Sequence, residues 1–208
     1  MRHKIIVPAL FLFWSSSAIH AQINTYLGAN IQGLYTGLRM ENASYRPGFG
    51  TGASIYYWEY DYWFIKAGID YMYKSSLFPG SPILFDQAPP DPDREIMVDY
   101  RQHDVGIPIT AYFRLIEQGG NALLLTGTLE ISLALKAVLN AGDYESLVLT
   151  GNDIDKPLRT NLGVGAGYQL QINRETYFNI IPSFHLDLRS DRPFNVFKLT
   201  VEMMFGVY

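Results

Sequence analysis

The chain has 208 residues; 48% are hydrophobic and 17% charged, with 15 Tyr, 12 Phe and no Cys. A formal charge of −4 offers no basic surface to a phosphate backbone, so no nucleic-acid partner is expected. Without cysteine no disulfide can form, and something else must hold the fold.

Met1-Arg2-His3-Lys4 opens the chain with positive charge, and residues 5–14 are nearly all apolar. Ser15, Ser16 and Ser17 lead to Ala18-Ile19-His20-Ala21 and Gln22. A basic start, an apolar core and a small residue before the cut make the layout of a secretory signal peptide. A membrane helix needs about 20 apolar residues, so this stretch is too short to span. Residues 1–21 are therefore expected to be a signal peptide cleaved after Ala21, and 22–208 to form one domain. Loss of Arg2 and Lys4 takes Lys+Arg from 16 to 14 against 20 acids, which leaves −6.

Past residue 21 no uninterrupted apolar span occurs, and period-two alternation takes over. In 25–35, Leu27, Ala29, Ile31, Gly33 and Tyr35 share one face, and Gly28, Asn30 and Gln32 the other. In 48–58, Phe49, Thr51, Ala53, Ile55 and Tyr57 oppose Gly50, Gly52 and Ser54. The stretch 63–74 is sharper: Trp63, Ile65, Ala67, Ile69, Tyr71 and Tyr73 oppose Lys66, Gly68, Asp70 and Lys74. In 103–115, Val105, Ile107, Ile109, Ala111 and Phe113 oppose Asp104, Thr110, Tyr112 and Arg114. In 123–136, Leu123, Leu125, Gly127, Leu129, Ile131, Leu133 and Leu135 oppose Thr126, Thr128, Glu130, Ser132 and Lys136. Three more follow in 161–172, 178–189 and 197–207, with Leu162, Phe178 and Phe197 heading the apolar faces. Their polar faces carry Asn161, Gln169 and Gln171, then Asn179, Ser183, His185, Asp187 and Arg189, then Lys198, Thr200 and Glu202.

Eight such segments predict an all-β, membrane-spanning, antiparallel up-and-down β-barrel, apolar toward lipid and polar within. The connections fit: 59–62, 116–121 and 173–176 are tight, whereas 75–97 and 137–158 are long. Short turns would lie on the periplasmic rim and longer loops outside, with both termini periplasmic. Tyr57, Trp63, Phe113, Phe178 and Phe205 gather outward beside the turns, as an interfacial girdle does. A soluble β-sandwich has no reason for this arrangement.

An eight-stranded barrel has an interior that side chains can fill. The inward parity carries Lys66, Asp70, Lys74, Arg114, Glu130, Lys136, Asp187, Arg189, Lys198 and Glu202, with Asp104 beside them. Nearly balanced signs predict a structural ion-pair network, because isolated buried charges cost several kcal/mol each. The inward Gly163, Gly165 and Gly167 allow curvature or leave space, and no helix follows to make a phosphate loop. Pro108 and Pro182 fall inside strands of a closed barrel, so local bulges are expected there. Tyr208 shares parity with Glu202 unless a bulge at Gly206 turns it outward.

The stretches Arg46-Pro47-Gly48-Phe49 and Gly52-Ala53-Ser54-Ile55-Tyr56 resemble the PorT-like family of small outer-membrane β-barrels. So do Ala67-Gly68-Ile69-Asp70-Tyr71, Val105-Gly106-Ile107-Pro108-Ile109 and Gly163-Val164-Gly165-Ala166-Gly167-Tyr168. The resemblance implies an outer-membrane barrel in a Gram-negative host, with a founding member associated with protein secretion and no catalytic residues to carry over.

Chemistry is sparse. Ser183 and His185 share one strand face, which could pair a nucleophile with a base, although a hydrogen-bonded core histidine is the plainer reading. His103 and Asp104 are adjacent and face opposite ways. Asp91-Pro92-Asp93 and Asn152-Asp153-Ile154-Asp155 lack calcium-loop spacing and read as solvated loop acids. No zinc motif, Walker sequence or Cys nucleophile occurs, so no catalytic residue, metal or cofactor is expected. The expected chain is a non-enzymatic barrel that is structural or binds a partner through its loops or rim. A narrow channel and an envelope hydrolase are the alternatives. The expected partners are outer-membrane lipid, the barrel assembly machinery during insertion and an envelope protein.

Overall fold

The computed structural model describes residues 24–207 apart from 82–84, 86–94, 143, 155 and 189–192. The signal-peptide residues, Asp91, Asp93, Asp155, Arg189 and Tyr208 therefore lie outside the described residues. Nine strands occur among those described: β1 Asn24–Leu38, β2 Ser44–Tyr60, β3 Trp63–Gly80, β4 Ile96–Gln118 and β5 Asn121–Asn140. Then follow β6 Leu147–Thr150, β7 Leu158–Asn173, β8 Thr176–Asp187 and β9 Phe194–Val207. Each barrel strand pairs antiparallel with its successor, and β9 returns to β1 from Thr25↔Val207 to Leu38↔Phe194. The ring of eight is closed. The short β6 is additional and lies on the upper part of β5.

The turn rim is set by local chemistry. Gly119 and Gly120 have φ of +59° and +84°, the two positive values that a two-residue type I′ turn requires. A Cβ at Gly120 would also lie 1.7 Å from Gln171 Oε1, so a larger residue there would have to displace the Gln171 side chain. Two-residue turns likewise join Tyr60 to Trp63 and Asn173 to Thr176.

The strands run taller than the sequence segments, most of all on the loop side. β3 continues to Gly80, β4 starts at Ile96 and β5 runs to Asn140, so the long connections narrow and part of each becomes sheet. The bulges expected at Pro108 and Pro182 are absent. Register is constant across both, from Ala67↔Ile109 to Asp70↔Gly106 and from Gly165↔Ser183 to Tyr168↔Ile180. Each proline instead interrupts pairing toward one neighbour, where its missing N–H would have donated, and stays paired on the other side. Shifts fall elsewhere: in β2 between Tyr45 and Phe49, around Pro47, and in β5 opposite His103 and Asp104. The register of β1 with β9 runs through Gly206 without a shift.

The outer face is apolar over most of its height, with Ile31, Phe49, Ile69, Ile107, Leu129, Val164 and Leu199 all exposed. Contiguous apolar exposure on this scale marks a surface made for a nonaqueous phase or a partner.

Candidate functional site: a three-layered lumen

The fully buried charges of the lumen lie in its middle, between two mainly apolar layers. Toward the turn rim lies an aromatic layer of Tyr26, Tyr56, Trp58, Phe64, Tyr112 and Tyr177, closed by Leu124, Ile181 and Met204. Phe64 stacks on Tyr112 at 4.5 Å and 10°, and on Trp58 at 4.9 Å. Toward the loop rim lies a second apolar layer that includes Leu34, Met72, Phe78, Val98, Leu139 and Phe194. Phe85 and Ile154, from the connections above, pack into it, and Phe85 stacks on Tyr144 at 5.6 Å.

Between these layers nine charged side chains face inward and are buried, four cations and five carboxylates among the described residues. Lys66 pairs with Glu202, which also accepts from the Tyr112 hydroxyl at 2.9 and 3.0 Å and from Asn179 at 3.3 Å. Lys74 pairs with Asp104 at 2.9 Å, and Gln102 donates to the same carboxylate at 2.5 Å. Lys198 lies 3.4 Å from Glu130, which accepts from Asn161 at 2.8 Å. Arg159 pairs with Asp187 at 3.1 Å. Asp70 is held by amides, from Asn30 at 3.0 Å and Gln32 at 2.7 Å. Glycine makes the room: a Cβ at Gly52 would sit 1.9 Å from Asp70 Oδ1, and one at Gly163 would sit 2.4 Å from the His185 ring. Among these groups lies a cavity of about 30 Å³ bordered by Gln32, Thr126, Ser183, His185 and Thr200. That is space for about two water molecules.

Two of the residues read as lumen charges stand elsewhere. Lys136 does not point inward, which corrects the sequence reading. Asp104 pairs with Ala134 and His103 with Lys136, so Leu135 is an extra residue and both Leu135 and Lys136 are exposed on the outside. Arg114 points in but belongs to the turn rim. Its guanidinium lies 4.8 Å from the Trp58 ring, donates to the Asp61 carbonyl at 2.8 Å and meets Glu117 at 3.1 Å. Arg159 falls between the loop 137–158 and the segment 161–172 of the sequence reading and is absent from its lumen charges; β7 begins at Leu158, and the alternation of Arg159 with Asn161 and Gly163 is the available signal.

Ser183 Oγ and His185 Nε2 are 3.0 Å apart. His185 Nδ1 has no partner among the described residues, so no carboxylate orients the ring, while the nearby Asp187 is engaged by Arg159. A base without an orienting group, enclosed between two apolar layers, has neither the third member of a triad nor a route for substrate. His103 faces outward and Asp104 inward.

Outside, the turn-rim aromatics have a counterpart on the loop side that the sequence reading did not group. Tyr35 stacks on Tyr45 at 5.4 Å, Phe184 meets Phe197 at 4.8 Å, and Phe49 stacks on Tyr73 at 5.4 Å. Two aromatic girdles with an apolar band between them are what a barrel presents to a bilayer.

These features define the class: a membrane-spanning, up-and-down, eight-stranded antiparallel β-barrel. No family model and no curated protein sequence matches the chain. Among solved structures it is similar to Neisserial surface protein A, at 12% identity and a TM-score of 0.55, with 88% of this chain and 97% of that chain covered. It is also similar to Ail, the attachment invasion locus protein of Yersinia pestis, solved with the heparin analogue sucrose octasulfate. That match has 15% identity, a TM-score of 0.48 and coverage of 88% and 99%. The N-terminal β-barrel domain of Pseudomonas aeruginosa OprF follows at 11% identity and 0.37, with 86% and 97% covered. At these identities the likeness is one of fold.

Proposed function

We propose that the chain is a non-enzymatic outer-membrane β-barrel protein whose lumen is a rigid plug and whose working surface is the outer rim. The filled lumen carries this reading: an ion-paired layer between two apolar ones leaves about 30 Å³ beside Ser183 and His185. A pore would need a continuous wet path, and both apolar layers oppose one. The turns Asp61–Tyr62, Gly119–Gly120 and Arg174–Glu175 would face the periplasm and the longer connections the outside. Residues 1–21 would be removed on export, and the barrel assembly machinery would insert the rest.

Recordings across planar bilayers test the plug, with no stepwise conductance expected. Resolved steps would restore the narrow-channel alternative. Purified chain that stayed monomeric and soluble without detergent would remove the membrane reading altogether. The resemblance to PorT-like barrels supports a narrower role, contact with an envelope protein and a link to protein secretion. Pull-down with a tagged barrel from detergent-solubilised envelopes tests that role.

The 3.0 Å contact of Ser183 with His185 is the one observation favouring an envelope hydrolase. Unchanged lipid or peptide turnover in Ser183→Ala would remove that alternative.

A further inference from the structure

The outward row at the top of β4 and β5 is built differently from the rows beneath it. On β4 the outward residues below it are Phe113, Ala111, Ile109, Ile107 and Val105, all apolar; the next upward is His103. At about 3.4 Å per residue and a tilt of about 40°, the rise from Phe113 to His103 is about 26 Å, which matches the apolar band of such barrels. His103 therefore stands where acyl chains give way to headgroups. Its Cα partners are Tyr73 on β3 and Lys136 on β5, and Lys136 in turn pairs with Thr150 on β6.

The bulge is what brings a cation to this level. Up to Leu133, β5 pairs with β7; from Lys136 it pairs with β6, and the extra Leu135 falls at the change of partner. Without it Lys136 would keep the parity of Glu130 and Ser132 and enter the lumen. With it, an exposed ammonium stands directly above Leu133 and Leu135, which face lipid. Bulges re-aim side chains, and here the one re-aimed is a lysine. Among the described residues Lys136 has no acidic partner. Arg101, one row higher, is already engaged by Asp99, through Nε at 2.9 Å and Nη2 at 2.6 Å.

The neighbouring ring is also prepared. Tyr71 Oη lies 2.6 Å from His103 Nδ1, and the rings of Tyr71 and Tyr73 flank the imidazole at 6.1 and 5.2 Å. With the phenol donating into Nδ1, the ring proton sits on Nε2 and that N–H is left for another acceptor. In that tautomer an imidazole N–H donor and an unpaired ammonium, side by side at the top of an apolar belt, complement an anionic oxygen cluster tethered to acyl chains. We propose that Lys136 and His103 form a docking site for the phosphate of an acyl-anchored headgroup in the outer leaflet. The inference rests on the reading of this chain as an outer-membrane barrel and adds a ligand class and the residues that meet it.

The test uses the purified full barrel in detergent, titrated with a bisphosphorylated glucosamine-disaccharide lipid and with the same lipid dephosphorylated. Native mass spectrometry counts bound lipid. The phosphorylated lipid is expected to bind at least about fivefold more tightly, as one well-placed basic side chain near an anionic surface gives. Lys136→Gln and His103→Gln should each remove most of that preference, and Lys136→Arg should keep it. Inorganic phosphate at the same concentration should not displace the lipid. Equal binding of the two lipids, an unchanged preference in Lys136→Gln, or displacement by inorganic phosphate would each overturn the proposal. Both positions face outward, and the heat-dependent gel shift of folded barrels reports whether each variant folds. A barrel that enters micelles yet ignores the phosphate sinks only this inference; a chain that never enters them sinks the barrel reading with it.

Discussion

The middle and the lower layers of the lumen fill the same barrel by opposite means. The aromatic layer around Phe64 is held by shape and contact, so its members contribute roughly in proportion to the volume they occupy. In the ionic layer each charge is tolerable only while its partners remain, so removing one member strands the others. The difference teaches that stability here depends on reciprocity in one layer and on bulk in the other. Single and paired substitutions tell them apart.

The largest expected effect is Glu202→Ala. It leaves the Lys66 ammonium without its carboxylate and takes the acceptor from Tyr112 and Asn179. Breaking a buried pair costs about 3–5 kcal/mol, and the two orphaned donors put this variant at the upper end. Guanidinium unfolding in lipid vesicles measures it; a loss below about 1 kcal/mol would mean that water reaches the layer. Next comes Phe64→Ala, which empties the space between Trp58 and Tyr112 and should cost about 3–4 kcal/mol. Here Phe64→Leu should recover most of the loss, as bulk predicts.

The paired substitution sharpens the contrast. Asp104→Leu alone strands Lys74 and should cost about 3–5 kcal/mol, whereas Lys74→Met with Asp104→Leu should cost only about 1–2 kcal/mol. The residue of that cost is the Gln102 amide, which loses the acceptor it reaches at 2.5 Å. No pair of substitutions in the aromatic layer should show such recovery, since a second truncation enlarges the cavity and relieves no stranded charge. Additive losses at Lys74 and Asp104 would show that the two layers work alike.

Much of this architecture was legible in the sequence because period two cannot hide in a stretch such as Trp63 to Lys74, where every outward residue is apolar and Lys66, Asp70 and Lys74 are not. Gly119-Gly120 likewise announced its turn. What escaped did so for physical reasons. From Leu133 to Leu139 the only polar residue is Lys136, so one inserted residue shifts the parity without leaving an apolar side chain anywhere conspicuous. Arg159 follows Lys156-Pro157, which read as loop, and only the Leu158 to Asn161 pairing with β5 makes it strand. The layering of the lumen was half visible. Phe64, Tyr112 and Leu124 all carry inward parity near the turns, whereas which carboxylate meets which lysine depends on the stagger between strands. Prolines misled in the other direction. A missing N–H does not force a bulge, because one interrupted side suffices when the other neighbour stays paired.

The smallest effect should come from the pair with the shortest arginine contacts among the described residues. Arg101 meets Asp99 at 2.6 and 2.9 Å, closer than Lys198 meets Glu130 at 3.4 Å, so distance alone would rank it higher. Burial reverses the order. Both members of the outer pair are substantially exposed, at 48% and 31%, whereas the lumen pair is at 6% and 2%. Water and salt screen the first, and its long side chain gives up rotamer freedom to hold one geometry. Arg101→Ala should therefore change unfolding free energy by no more than about 0.5 kcal/mol, and less in high salt. Lys198→Ala should cost several times as much, because buried Glu130 would lose its ion-pair partner and keep only the Asn161 amide as a direct contact. Equal losses at the two sites would mean that the lumen is as wet as the surface. In that case the plug, and the silence expected across a planar bilayer, would both be lost.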